Sequence, residues 1–259
     1  FPNLEANMTM PRLPGEFRLV EMDEIDSTNE EACRLAREGA REFTIVCARE
    51  QTAGRGRRNR GWVSPPGNLY LSLILRPGKP LTETVQLSFV AAVALGETLD
   101  PLIPEGVDIS YKWPNDVFLA GRKAAGILLE SSSRRDRVKW LVLGLGLNLK
   151  SPPQDVSTPA TSLKAVGAAG VTAMDMLERF CFCFEKCYTR WQEEGFPSLR
   201  EAWLSRAQGL GGPIEVELEK ERLSGTFLDL DASCALVLGQ GGGVTRIITA
   251  GDVFFPQAR

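Results

Sequence analysis

Two hydrophobic periods divide the chain. Short runs of consecutive apolar and β-branched residues predict strands at Phe17 to Met22, Phe43 to Ala48, Leu69 to Leu75, Ile109 to Trp113 and Trp140 to Asn148. Val117 to Leu119 and Lys123 to Glu130 form a predicted hairpin about Ala120-Gly121. Between the strands the period lengthens to that of a helix. Ala32, Leu35 and Ala36 follow Asp-Ser-Thr-Asn-Glu-Glu (26 to 31), where Ser27 with Glu30, or Thr28 with Glu31, has capping-box spacing, and Gly39 stops the helix. Leu81 to Leu99 predicts one long helix, with Thr82 as its cap and Val85, Phe89, Val93 and Gly96 on a packing face; Pro101 and Pro104 end it. A further helix runs from Thr172 to about Glu194 on Met176, Phe180, Cys183, Cys187 and Trp191, and a short one covers Leu199 to Arg206.

Past Gly209, Gly211, Gly212 and Pro213 the pattern becomes all strand: Ile214 to Glu219, Ser224 to Asp229, Ala235 to Gly239 and Thr245 to Thr249. Short strands punctuated by Gly and Asp predict a small barrel. There is no internal repeat. The length accommodates one large domain, or one with a small companion.

Composition narrows the chemistry more than the fold. Histidine is absent, which removes Ser-His-Asp and Cys-His catalysis, histidine metal sites and histidine general bases. The net charge of −3 argues against a dedicated nucleic-acid binder, and no run of 18 apolar residues predicts a membrane span. No basic-then-apolar leader opens the sequence; Phe1 to Asn7, ahead of the first methionine, read as a vector scar or a processed tail. Six cysteines without zinc-type pairing imply a reduced, cytoplasmic protein. Cys181, Cys183 and Cys187 lie on a helical pattern as small core residues, and no metal site is expected.

Against this mildly acidic background, Gln51 to Arg60 is conspicuous: Gln-Thr-Ala-Gly-Arg-Gly-Arg-Arg-Asn-Arg. Gly54 and Gly56 allow sharp turns and close approach, while Arg55, Arg57, Arg58 and Arg60 present forked cations suited to carboxylate or phosphate. Four cations within six residues repel, so the loop is expected to be mobile until an anion orders it. It is not a P-loop, since no Gly-Lys-Ser/Thr follows at the required spacing. Taken alone, it could equally be a solvated basic loop or a nucleic-acid patch. Ser27 and Thr28 likewise admit two readings, helix caps or ligand-binding hydroxyls with Asn29, and Lys123 could be a solvated strand end. Gly144 and Gly146 leave one strand surface bare, as close approach of a ligand or another backbone requires.

Five blocks in order resemble the biotin protein ligases, or biotin–[acetyl-CoA-carboxylase] ligases: Asp-Ser-Thr-Asn (26 to 29), Gln-Thr-Ala-Gly-Arg-Gly-Arg-Arg (51 to 58), Lys-Trp-Pro-Asn-Asp (112 to 116), Gly-Arg-Lys-Ala-Ala-Gly-Ile-Leu (121 to 128) and Gly-Leu-Gly-Leu-Asn (144 to 148). Asn59 departs from the glycine common there. The resemblance, over most of residues 16 to 255, implies an α+β fold. A mixed-sheet catalytic domain of the biotin/lipoate ligase type (11 to 208, after a tail at 1 to 10) would precede a small SH3-like β-barrel domain (209 to 259). It also implies a monofunctional member, because about fifteen residues before the first strand are too few for the N-terminal helix-turn-helix domain that some relatives carry.

The activity so implied has two steps. Biotin and Mg-ATP (hence Mg2+) give biotinyl-5′-adenylate and pyrophosphate; a lysine of a biotin carboxyl carrier protein then takes the biotin and releases AMP. By the family pattern Ser27, Thr28, Asn29 and Gln51 would bond biotin's polar ring. Arg55, Gly56 and Arg57 would lie over its carboxylate and the adenylate phosphate, Lys123 on the same oxygens, and Gly126 would leave room for the ligand. Arg57, Arg58, Trp62, Lys123 and Asn148 would face the adenylate. Arg55, Arg57 and Lys123 supply the cations that bring two anions together, and Asp116 would receive the incoming lysine. Alternatives are a lipoate or octanoate ligase, which shares the architecture, and a nucleic-acid module, which the acidic charge and missing helix-turn-helix oppose. No DNA or membrane partner is expected, and two chains are expected to pair through an exposed sheet edge.

Overall fold

The structure is a computed structural model and describes residues 11–154 and 158–256. The tail at 1 to 10 and part of the 152 to 161 loop therefore lie outside the described residues.

The first seven strands form one mixed sheet. In chain order the elements are β1 (Arg18–Ile25), α1 (Thr28–Arg37), β2 (Thr44–Gln51), β3 (Leu69–Leu75), α2 (Leu81–Thr84), α3 (Leu87–Leu99), β4 (Ile109–Lys112), β5 (Asp116–Leu119), β6 (Arg122–Arg134), β7 (Arg137–Leu147), α4 (Ala173–Glu194) and α5 (Pro197–Leu204). The sheet order is β1-β2-β3-β7-β6-β5-β4. Only β1 and β2 run parallel, because α1 carries the chain back between them; the remaining neighbours are antiparallel.

Strand alternation gives the sheet two unlike faces. Leu69, Leu71, Leu73 and Leu75 of β3 and Leu141, Leu143, Leu145 and Leu147 of β7 point into the main core, with α3, α4 and α5. α3 is buried all round, as its almost continuous apolar sequence requires. α4 starts on a complete capping box, Thr172 with Asp175, and lays Met176, Phe180, Phe184, Cys187 and Trp191 inward. Cys181 and Cys187 are buried there, and burial pushes the Cys187 thiol up to about 12. The opposite face is covered only in part. Ala32, Cys33 and Ala36 of α1 pack on Val46, Ile74, Trp140 and Val142, and the rest of that face is left for the site.

Five more strands follow: β8 (Pro213–Glu217), β9 (Arg222–Leu230), β10 (Leu236–Gly239), β11 (Thr245–Ile248) and β12 (Asp252–Phe254). They form a separate antiparallel sheet in the order β11-β10-β9-β8-β12, the SH3-like barrel. Side chains of three residues fasten its 230 to 234 corner to the larger unit: Trp113 Nε1 donates to the Cys234 carbonyl (3.0 Å), Gln86 Nε2 to that of Ala232 (2.8 Å), and Arg200 Nε and Nη2 to that of Leu230 (2.9 and 2.7 Å).

Three expectations are corrected. The helix at 81 to 99 is two, because the chain turns at Val85 and Gln86; Pro80 rather than Thr82 stands at the N-cap of the first. The barrel has a fifth strand, β12, too short at three residues to show a period. Neither capping box at Ser27 and Thr28 forms: Ser27 is the N-cap of α1 but makes no side-chain cap bond, and the Glu31 carboxylate pairs with Arg34.

Candidate active site

Strand register builds the floor. Tyr70 of β3, Gly146 of β7, Gly126 of β6, Asp116 of β5 and Lys112 of β4 lie opposite one another in a single row across five strands. The next row is Ser72, Gly144 and Leu128. With no Cβ at 126, 144 and 146, side chains from other segments can lie flat on the sheet. A Cβ at Gly146 would stand 2.5 Å from the Trp62 indole, one at Gly126 2.9 Å from it, and one at Gly144 would collide with the Asn29 amide. The bare strand surface therefore holds the protein's own Trp62 and Asn29. Gly126 still lines the pocket, as expected for a residue that leaves room for a ligand.

One end of the pocket is a network of neutral polar groups. Asn29 Oδ1 accepts from Ser72 Oγ at 2.6 Å, and its Nδ2 donates to Glu130 at 2.8 Å. Gln51 Oε1 accepts from the Thr28 amide and hydroxyl at 2.9 and 3.0 Å, while its Nε2 donates to Ser64. Ser27 Oγ is buried and finds no partner among the described residues. It is the first of several such orphans in the same cavity; Trp62 Nε1 and Asn148 Oδ1 are others. Buried polar atoms are normally bonded, so orphans converging on one cavity mark a space meant for a polar guest.

The other end is cationic. Lys123 Nζ is 2.7 Å from an Asp116 carboxylate oxygen and 5.3 Å from the centre of the Trp62 ring. Arg57 donates to Asn115 Oδ1 at 3.2 Å. Burial pulls the Arg57 guanidinium below its usual range, and Asp252 and Asp116 oppose the shift. Burial also lowers Lys112, whose amine sits 5.5 to 5.8 Å from the rings of Phe118, Phe254 and Phe255.

The pocket brings together Ser27, Thr28, Asn29, Gln51, Arg55, Gly56, Arg57, Trp62, Asp116, Lys123, Gly126 and Asn148, nearly the whole set expected from the sequence. Arg58 is the exception. It adopts a left-handed backbone (φ 52°) and turns to Asp252 instead of lining the cavity. Asp116 lines the same pocket, with a carboxylate oxygen 2.7 Å from Lys123 Nζ. The arginines of the loop have acidic neighbours from distant parts of the chain. Arg55 pairs with Glu30 and Glu130, and Arg58 and Arg60 pair with Asp252. Lys112 and Asp252 were missed. Lys112 lies within the Lys-Trp-Pro-Asn-Asp block and could have been found there, whereas Asp252 carries no local signal.

A mixed sheet with an arginine-glycine loop over its bare face, joined to a small barrel, defines the class. Residues 22–148 match the biotin/lipoate A/B protein ligase family, and residues 209–255 match the biotin protein ligase C terminal domain. The chain is 42% identical over 236 residues to a biotin–[acetyl-CoA-carboxylase] ligase of Paracoccus denitrificans, covering 89% of this chain and 97% of that one. It is 36% identical to the bifunctional ligase/repressor BirA of Bacillus subtilis, covering 90% of this chain and 72% of that one. The structure of a biotin protein ligase from Aquifex aeolicus in complex with biotin and ATP superposes with a TM-score of 0.78 at 26% identity, over 92% of this chain and 97% of that one. The chain belongs to the biotin protein ligase family.

The Gly144 contact gives a direct test of the floor. Gly144→Ala drives a methyl into Asn29, whose bonds to Ser72 and Glu130 are then lost. Overpacking of this kind costs about 1–3 kcal/mol. The midpoint of urea unfolding should fall accordingly, and an unchanged midpoint would show that Asn29 is not held against the sheet.

Proposed function

We propose that this pocket activates biotin with Mg-ATP, as biotinyl-5′-adenylate, and passes biotin to a lysine of a biotin carboxyl carrier protein. The observation that carries the reading is the polarity of one cavity: neutral donors and acceptors from Ser27, Thr28, Asn29 and Gln51 at one end, and Arg57 and Lys123 at the other. A ureido ring is neutral and rich in hydrogen-bonding groups, and suits the first end. A valeryl carboxylate beside a nucleotide phosphate needs the second. In the first step a carboxylate oxygen attacks the α-phosphorus and pyrophosphate leaves. In the second the acceptor amine attacks the acyl carbon, the anhydride C–O bond breaks and AMP departs. Two anions must meet in step one, so the cations of Arg55, Arg57 and Lys123 act by offsetting repulsion and by charge stabilisation in the transition state. Magnesium enters with the nucleotide; among the described residues no group of three His, Cys, Asp or Glu side chains comes together to hold an ion.

Trp62 and Asn148, with their orphaned polar atoms, face the adenylate in this reading, and Gly56 lets the loop backbone come close to it. Arg58 contributes through Asp252. Among the described residues the outer side of β1 has no strand partner, whereas that of β4 is bonded to residues 206 to 208, which favours the homodimer reading at β1. No helix among the described residues is long and apolar enough to cross a membrane, and cytoplasmic residence, without a DNA partner, is part of the proposal.

Mass spectrometry of the protein with Mg-ATP and a carrier domain, supplied with biotin or with lipoate, tests the reading. Biotin alone should add to the carrier lysine and drive pyrophosphate release; lipoate supporting both would favour the sister activity. Sedimentation of the protein with both substrates should reveal dimers, and a strict monomer at high concentration would remove that element. Lys123→Ala should slow adenylate formation by roughly a hundredfold, the usual cost of removing one transition-state charge contact. Near wild-type pyrophosphate exchange in a folded variant would refute the role. Arg57→Gly should still make adenylate but lose it about ten- to a hundredfold faster, as expected for one charged contact expressed in the off-rate. Streptavidin blotting would then show biotin on unrelated lysine-rich proteins. Label confined to the carrier would move the retaining contact elsewhere.

A further inference from the structure

Asp252 lies in β12, the last strand of the barrel, yet it lines the catalytic pocket. Its side chain is 19% exposed and surrounded by the arginine loop. Arg58 Nη1 is 3.0 Å from one carboxylate oxygen; Arg60 Nη2 donates to both oxygens at 2.9 Å; Arg57 Nη1 stands at 3.9 Å. Arg58 and Arg60 are 194 and 192 residues away in the chain. Asp116, the other carboxylate lining the cavity among the described residues, is engaged by Lys123.

Rigidity is unequal across these contacts. β12 is bonded to β8, and the barrel is fastened to the main sheet through Trp113, Gln86 and Arg200. Asp252 is therefore a fixed point. The loop opposite it closes on itself through the Gly56 N–H to the Arg60 carbonyl (2.7 Å) and the Trp62 N–H to the Gly54 carbonyl (2.8 Å), but the 3-10 turn at its tip, Arg57–Asn59, has no buried residue, and Arg60 is 58% exposed. One carboxylate against three guanidinium groups offsets their repulsion without cancelling their charge. Positive charge is left over for a phosphate.

Resting on the ligase reading, we propose that Asp252 is a positioning residue: the anchor by which the barrel holds the arginine loop shut over the adenylate end of the pocket. It touches neither reacting atom and acts through Arg57, Arg58 and Arg60. The barrel thereby sets the lifetime of the activated intermediate, although the groups expected to contact that intermediate come from the larger domain.

The test uses the full chain and Asp252→Asn, which keeps shape and removes charge. Hydrogen exchange over residues 54 to 62 should be faster in the variant, with or without substrates. Preformed biotinyl-adenylate should leave the variant about tenfold faster or more, as loss of a charge-assisted contact predicts. Binding of biotin alone should be little changed, since Ser27, Thr28, Asn29 and Gln51 are untouched. A solely structural role would instead lower the thermal midpoint without separating adenylate release from biotin binding. If Asp252→Asn does not fold, Arg58→Ala with Arg60→Ala probes the same contact from the loop. Combining Arg60→Ala with Asp252→Asn should cost less than the two single effects added together, because both remove one interaction. Equal loop exchange in variant and wild type, or strictly additive effects on release, would overturn the anchor. The exchange measurement needs no turnover. A wild type that forms no adenylate would therefore sink the ligase reading while the anchor is still judged on exchange.

Discussion

Guanidinium groups crowded over a strand face repel one another, and the site exists because carboxylates from distant parts of the chain sit among them. Glu30 comes from α1, Glu130 from β6, Asp116 from β5 and Asp252 from β12. They meet Arg55, Arg57, Arg58, Arg60 and Lys123, with Lys112 close by. Most of these pairs are partly exposed, where a single ion pair is worth little to stability. Their value lies in placement: two carboxylates hold Arg55, Asp252 alone gathers Arg58 and Arg60 with Arg57 nearby, and the cations still outnumber the acids. An anion entering the pocket meets positive charge already gathered and oriented, so little reorganisation is left for the moment of reaction.

That arrangement depends on backbone register. The row from Tyr70 through Gly146, Gly126 and Asp116 to Lys112 places two glycines between an aromatic ring and the Asp116 carboxylate that meets Lys123. Side chains at 126 and 146 would lift Trp62 off the sheet, and Lys123 would lose the ring it faces. A one-residue slip would turn these glycines into the core and present Ala125 and Ile127 of β6, or the leucines of β7, to the pocket. The long antiparallel pairing of β6 with β7, whose alternate leucines are locked beneath α3 and α4, makes such a slip costly.

Much of this was legible in the sequence because it was local. Strands with continuous apolar runs, the Gly-Arg loop and Lys123 three residues before Gly126 are short-range patterns, and the chain places them as those patterns suggest. The exceptions have physical reasons. The Ser27 and Thr28 spacing suits a cap, but Gln51 and Ser72 are closer claimants for Thr28, and Glu31 is taken by Arg34. The paired glycines at 144 and 146 announced close approach but not by what, since Asn29 and Trp62 arrive from segments more than 80 residues earlier. Asp252 was invisible because its role is made by the docking of the barrel, which leaves no period or motif in three residues of strand.

The missing histidine then ceases to be a puzzle. Joining a carboxylate to a phosphate is opposed by charge, and positioned cations answer that directly. Transfer to the carrier needs a neutral amine, and a free lysine is overwhelmingly protonated near neutral pH. Around the Asp116 carboxylate the pocket gathers an excess of positive charge. An ammonium group brought beside that excess is disfavoured relative to its neutral form. In the proposed reaction, cations that grip the phosphate would therefore also favour arrival of the acceptor as the free amine, and the mixed anhydride is reactive enough for that amine to finish the reaction.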